Sequence, residues 1–404
     1  MIPFTYRCTD CGRSYQREAV RYLCPTCGGT YRPGVPLPGV LEAVLDYAAI
    51  GRAFDPARPD WNLFCAVEPE FHPASPVGNT PLVPGGRYGQ SLGLDCLWVK
   101  NEGLNPSGSL KDRASFLVVA EALRIGEPRI VAASTGNAAS ALAAVCAAAG
   151  LEALIFVPEK APRAKLVQML LYGARVLPVK GTYDDAFRLS LEFTARRGGL
   201  NRNTAYHPLT IEGKKTAGLE IWAQLGQEVP DAIFVPVGDG VILGGIHKAF
   251  LDLKRTGLAG HLPRLFCIQA ERSDAIHRYI QTGTYADAPD PATRADSISV
   301  SCPSNAHGAR RAVLESGGAS LTVSDEEILA AQAAMARLTG IFAEPAAAAA
   351  AAGLAKLQAG PSPLPRESKV VLLVTGHGLK DIEAPLSGIR IPPPIEPRLD
   401  AVPG

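Results

Sequence analysis

What this 404-residue chain lacks first is an imbalance of charge: 40 basic against 39 acidic side chains leave +1 at neutral pH. That removes any global pull toward nucleic acid or an anionic membrane. Long apolar runs are missing too. The two longest, "ASALAAVCAAAG" (139–150) and "AEPAAAAAAAGLAKL" (343–357), are shorter than a bilayer span and are mostly alanine. The amino terminus carries no charged segment, apolar core and cleavage site of secretory type, so the expected location is cytoplasmic. No period of a repeat architecture is visible. Five arginines of the first 32 residues outnumber Asp10 and Glu18. Metal-bound thiolates would offset that charge, and no aromatic cluster suited to base stacking accompanies it. Nucleic acid is therefore not an expected partner, and neither is a membrane.

What is present begins with cysteine. Cys8 and Cys11 ("CTDCG") and Cys24 and Cys27 ("CPTCG") form two CxxC pairs separated by 12 residues. Four thiolates are the tetrahedral set that zinc prefers in structural sites, and Gly12 and Gly28 let the backbone fold tightly around a metal. With all four ligands supplied by protein, no position remains for a reacting water. A redox pair or ordinary free thiols are the other readings. The remaining cysteines (Cys65, Cys96, Cys146, Cys267, Cys302) are scattered, mostly in apolar stretches.

A Pro/Gly-rich piece, "RPGVPLPGV", reads as a linker. Beyond it β-branched runs ("DCLWVK", "RIVAAS", "EALIFV", "RVLPVK", "AIFVPV", "RLFCIQA", "KVVLLVT") alternate with helical patterns at 111–124, 137–149, 161–172, 184–196, 212–225, 241–254 and 326–338. Continuous apolar strands between helices predict α/β architecture with parallel or mixed sheets. The expected organisation is a zinc ribbon and linker over 1–35 and a small α/β domain over 96–199. A large α/β domain is expected over 36–95 and 200–390, and a proline-rich tail over 391–404.

Ligands of such sheets sit where strands turn into helices, and four of these turns are unusual. In "NPSGSLKDRAS", Lys111 falls at a helix start beside apolar Leu110. The positive helix end and partial burial favour the uncharged, nucleophilic amine, able to hold an aldehyde as a Schiff base. A surface lysine is the bland alternative. In "ASTGN", Ser134, Thr135, Gly136 and Asn137 offer hydroxyls, amides and a carboxamide to a carboxylate or aromatic oxygen. In "VGDGVILGG", Gly238 to Ile242 can form an amide nest for a phosphate. The spacing is not G-x-G-x-x-G, and no Walker lysine follows. Asp239 is expected to turn its side chain away from such an anion. In "VVLLVTGHGLKD", Thr375 ends a buried strand, where its hydroxyl could meet a heteroaromatic nitrogen. Together these handles match the aldehyde, phenolic oxygen, phosphate and pyridine nitrogen of pyridoxal 5'-phosphate.

The motifs "GNTPL", "NPSGSLKDR", "ASTGN", "IEGKKT", "FAEPAAAA" and "TGHGLKD", in this order over about residues 76 to 381, resemble fold type II pyridoxal-phosphate enzymes. Within them the chain resembles threonine synthases, some of which also carry an amino-terminal ribbon. The resemblance implies a lyase with a small amino-acid substrate, O-phosphohomoserine and water giving threonine and phosphate, in a homodimer. It implies that Lys111 bonds the cofactor and moves protons. Asn137 would meet the phenolic oxygen, and Ser134, Thr135 and Gly136 the substrate carboxylate. Gly238, Asp239, Gly240, Val241 and Ile242 would wrap the cofactor phosphate, and Thr375 would face the pyridine nitrogen. Glu344 occupies the family's acidic position, or is simply a helix-start carboxylate. Two positions depart from the family. Ala138 stands where a threonine is common, and Thr210 where an arginine commonly pairs with the substrate phosphate. Arg202, Lys214 and Lys215 are candidates to supply that charge. The departures leave open a serine/threonine ammonia-lyase, or β-replacement on an activated serine.

Overall fold

The structure, a computed structural model, describes residues 4–32, 34–161, 163–386, 392–399 and 402. Its strands are β1 (Phe4–Cys8), β2 (Ser14–Gln16), β3 (Leu41–Leu45), β4 (Leu82–Pro84), β5 (Leu97–Asn101), β6 (Arg129–Ala133), β7 (Glu152–Pro158), β8 (Arg175–Val179), β9 (Leu200–Asn201), β10 (Ala232–Pro236), β11 (Arg264–Ala270), β12 (Ala319–Val323) and β13 (Val370–Val374). They make three sheets: an antiparallel ribbon β2-β1-β3, a parallel β8-β7-β6-β9, and a six-stranded β12-β11-β10-β13-β5-β4 that is parallel except at β4. The strands expected from apolar runs all form, because burial on both faces rewards continuous β-branched sequence. Phe234 and Phe266, paired across β10 and β11, stack with centroids 4.4 Å apart.

Hydrogen bonding redraws the expected domain boundaries. β5, assigned above to the small domain, pairs with β13 in the six-stranded sheet. β9, assigned to the large one, pairs with β6 in the four-stranded sheet. β3, beyond the expected ribbon, returns through the Pro/Gly piece to pair along all of β1. That piece is a turn rather than a spacer. The tail falls partly outside the described residues, and 392–399 are exposed and carry no strand.

The seven expected helices form within a few residues of their expected bounds. The 212–225 pattern begins early, at Leu209. Helix Pro345–Gln358 is not among the expected elements, since a run of alanines has no periodicity to read. Its residues 345 to 354 are all buried, at or near β10, β11, β12 and β13. Among the described residues no helix is long and apolar enough to cross a membrane.

A buried charge network locks β5, helix Lys111–Ile125 and helix Leu209–Gln224 together. The Arg113 guanidinium donates to Glu102 at 2.6 and 2.8 Å and to Glu220 at 2.7 Å through two nitrogens. Lys100 donates to Glu220 Oε2 at 2.6 Å and to the Thr80 carbonyl at 2.6 Å. Burial opposes the charge on Glu220, but the hydrogen bond from Arg113 and the cations around it hold its carboxyl down at about 2. The "GNTPL" motif plugs into the same network: Asn79 N–H donates to Glu220, Thr80 Oγ1 to Glu102, and Gly78 N–H to Asn105. The Arg113→Met variant would leave Glu102 buried without its guanidinium and Glu220 with Lys100 as its remaining cation. It is expected to lose about 3–5 kcal/mol of stability in urea unfolding; a loss under about 1 kcal/mol would show that the network is dispensable.

Candidate active site

The turn before Lys111 is held at both ends. The Asp112 carboxylate accepts from the Ser107 N–H at 2.7 Å and from the Ser107 hydroxyl at 2.5 Å, which closes the loop. Burial pushes the Asp112 carboxyl up, to about 6. On the other side Leu110 N–H donates to the Thr375 carbonyl, and His377 N–H to the Gly108 carbonyl, both at 2.9 Å. Lys111 therefore begins its helix, half-buried, directly beside the carboxyl end of β13. Thr375 is buried there. Next to Lys111, the Ser109 hydroxyl is buried with no partner among the described residues.

Across the cleft, β6 ends in Ser134, Thr135 and Gly136, all half-buried, and helix Asn137–Ala149 begins. Ser134 Oγ accepts from the Gly136 N–H at 3.2 Å. Asn137 is buried, and its amide donates to both oxygens of Glu344 at 3.0 and 2.9 Å and to Ser297 at 3.3 Å. Glu344 takes its place because Gly376 has no side chain: a Cβ there would stand 2.2 Å from the Glu344 carboxylate. Lys380 bridges the same gap, donating to Ser140 Oγ at 2.9 Å, the Ser107 carbonyl at 3.1 Å and Gln168 at 2.5 Å. Burial lowers the Lys380 amine, against the pull of Glu344 and Asp112. Sequence reasoning does not single out Lys380 or Ser297. Lys380 lies inside the quoted "TGHGLKD", where a lysine among glycines is the signal; Ser297 offers none.

The third turn starts helix Val241–Arg255. Gly240 has φ +83°, and a Cβ there would lie 2.8 Å from the Asn305 carbonyl, so glycine is required on both counts. Asn305 clamps the turn, its N–H donating to the Asp239 carbonyl and its amide to the Gly240 carbonyl. Asp239 corrects an expectation. Its carboxylate does not turn away but accepts from the Val241 N–H at 2.9 Å, capping one of the amides that every helix start leaves unpaired.

Thr210 faces its own loop, donating to the His207 carbonyl and accepting from Ala205 N–H. Lys215 is committed elsewhere, to Glu212, Asp252 and the Phe64 carbonyl. Arg202 instead reaches the back of the lysine turn: its guanidinium donates to the Lys111 carbonyl at 3.4 Å, Ser115 at 3.1 Å and Thr204 at 3.1 Å. Lys214 lies within the electrostatic influence of Asp239, Arg202 and Lys111, and burial pushes its amine down to about 7.

The Sγ atoms of Cys8, Cys11, Cys24 and Cys27 lie within 4.8 Å of one another, an arrangement compatible with a metal ion. The 3.8 Å between Cys11 and Cys24 equals the edge of a tetrahedron with bonds of about 2.3 Å. The ribbon bearing them packs on the loop that leads from β9. Tyr22 stacks on Tyr206 at 4.6 Å and accepts from the Asn201 N–H at 3.0 Å.

The sequence pattern of the family described as pyridoxal-phosphate dependent enzyme matches residues 73–376. The threonine synthase of Methanosarcina acetivorans is 37% identical over 98% of this chain and 97% of its own length. That of Methanocaldococcus jannaschii is 35% identical over 96% of each. Among solved structures, the T.th. threonine deaminase is similar at a TM-score of 0.63 and 29% identity, over 74% of this chain and 92% of that one.

Asn137 and Glu344 join the two sides of the cleft through charge-assisted hydrogen bonds. A double-mutant cycle of Asn137→Ala and Glu344→Ala should return a coupling of about 1.5–3 kcal/mol in denaturant unfolding. Additive single effects would mean that the contact carries no energy.

Proposed function

This chain belongs to the pyridoxal-phosphate dependent enzymes and, within them, to the threonine synthases, and from that premise we propose that it converts O-phosphohomoserine and water into threonine and inorganic phosphate. In balance, phosphate leaves the γ-carbon and the elements of water are added, with the hydroxyl on the β-carbon. The observation that supports the reading is the half-buried Lys111 at a helix start whose preceding turn is stitched to the carboxyl end of β13. The residues fit the cofactor. The glycine turn at Gly240 opens a helix whose first amides suit an anion, and the Ser109 hydroxyl stands buried without a partner among the described residues. Bound there, pyridoxal phosphate supplies an electron sink for negative charge at the α- and β-carbons of an amino acid.

In this reading Lys111 Nζ would hold the cofactor's aldehyde and, once the substrate's amino group has taken its place and freed the amine, would take the proton from the substrate's Cα. The Ser134 and Thr135 hydroxyls and the Gly136 amide hold the substrate carboxylate. The remaining amides from Gly238 to Ile242 would take the cofactor phosphate, while the Asp239 carboxylate caps the Val241 amide and shapes the turn. Asn137 donates to the phenolic oxygen, which requires its amide to share or leave Glu344. The Thr375 hydroxyl faces the pyridine nitrogen, and a neutral partner there suits elimination and replacement over transamination. The inward-facing Thr210, with a threonine deaminase among the similar structures, favours a second reading, ammonia loss from serine or threonine. An assay separates the two. Phosphate and threonine in equal amounts from O-phosphohomoserine support the first; a 2-oxo acid from serine or threonine, with no phosphate release, supports the second. Lys111→Ala should lower either rate at least about a hundredfold and abolish hydride trapping of the cofactor on the chain. Trapping that persists would sink the assignment of Lys111.

The four-cysteine cluster reads as a structural Zn2+ site, supported by its all-thiolate ligands and tetrahedral edge. A homodimer follows from the resemblance, and nine free thiols suit a reducing cytoplasm. Native mass measurement should return two chains with one zinc and one cofactor each; a single chain, or a chain without zinc, overturns the corresponding part.

A further inference from the structure

Six lysine or arginine side chains are almost wholly buried among the described residues: Lys100, Arg113, Arg202, Lys214, Lys215 and Lys248. Four of them are matched by carboxylates. Lys100 meets Glu220 at 2.6 Å, Arg113 meets Glu102 at 2.6 Å, Lys215 meets Glu212 at 2.5 Å and Lys248 meets Asp252 at 2.6 Å. Arg202 and Lys214, each 1% exposed, make no ion pair among the described residues. The two share one neighbourhood: Lys214 lies within the electrostatic influence of Arg202, and Asp239 acts on both. A buried cation without a counter-charge is costly unless an anion arrives to match it.

The carboxylate that both feel, Asp239, is already engaged as a helix cap. Three of the five Arg202 N–H donors bond Ser115, Thr204 and the Lys111 carbonyl, which fixes the plane of the fork and leaves two without a partner among the described residues. Lys214 has no hydrogen-bond partner among the described residues, and it stands against Gly245, where a Cβ would come within 2.8 Å of its own. Burial draws both groups down, Arg202 to about 10 and Lys214 to about 7, in the direction a bound dianion would reverse.

We propose that Arg202 and Lys214 together bind the phosphate group of the amino-acid substrate, an inference that rests on the reaction proposed above. They supply the charge that residue 210, a threonine turned into its own loop, does not. The substrate's phosphate is favoured over the cofactor's by placement. Arg202 directly follows β9, and its N–H donates to the Val131 carbonyl of β6, the strand that leads to Ser134–Asn137. It therefore approaches from the side where the amino acid is expected, while the helix start at Gly240 offers amides to the cofactor.

The test compares wild-type holoenzyme with Lys214→Met and Arg202→Met. Three quantities are read: KM and kcat for O-phosphohomoserine, the inhibition constant of inorganic phosphate, and cofactor retained after dialysis. Each variant should raise KM and the phosphate inhibition constant about ten- to hundredfold. The change in kcat should be smaller and cofactor retention unchanged. Unaltered KM and phosphate inhibition overturn the proposal. So does loss of cofactor that accounts for the whole effect, which would give the pair to the cofactor's phosphate. Should the methionine variants not fold, Arg202→Lys and Lys214→Gln carry the same readouts. If wild type does not turn over O-phosphohomoserine, the proposed reaction fails while the pair is still read by binding of inorganic phosphate to the holoenzyme. Weaker phosphate binding in the variants then supports it, and equal binding overturns it.

Discussion

The site depends on the fork of Arg113 between Glu102 and Glu220. One guanidinium ties the residue after β5, the helix that begins with Lys111 and the helix carrying Lys214 to a common centre. Both carboxylates are largely or wholly withdrawn from water, so each needs the cation, and the geometry cannot relax without stranding a charge. The turn ahead of Lys111 inherits that rigidity. It is then stitched to β13 by backbone hydrogen bonds, which leave the direction of the lysine little freedom.

Around that fixed amine the charges divide into two groups. On one side Lys380 and Glu344 span the cleft through hydrogen bonds with Ser140, Gln168 and Asn137. On the other, Arg202 and Lys214 make no ion pair among the described residues, although Asp239 acts on both from further off. The first group joins protein to protein; the second is left with no ion-pair partner among the described residues. This asymmetry, more than any single motif, distinguishes groups that build the cleft from groups left over for a ligand.

The sheets and most helices were legible because parallel strands buried on both faces leave uninterrupted apolar runs, and helices between them leave a period. The helix start at Lys111 was legible from its place between turn residues and an apolar helix. What escaped depended on direction. Lys214 and Lys215 are adjacent in sequence, yet about 100° apart around a helix; one packs against Gly245 and the other meets Glu212 and Asp252. No local pattern distinguishes them. The Asp239 cap escaped because a carboxylate near an expected phosphate suggests repulsion, whereas the unpaired amide of Val241 was the nearer demand. Domain limits escaped because β5 and β9 pair with strands distant in sequence, and pairing partners are not written in composition.

β13, made of residues 370 to 374, lies between β10 and β5 in the six-stranded sheet rather than at its edge. A ribosome delivers that strand after the other five of the sheet, so until it emerges β5 has no neighbour on its inner side. The Leu110 amide likewise has no Thr375 carbonyl to meet. A nascent chain that has reached only β12 therefore still carries the turn before Lys111 unfinished, and that turn closes only when a strand distant in sequence arrives.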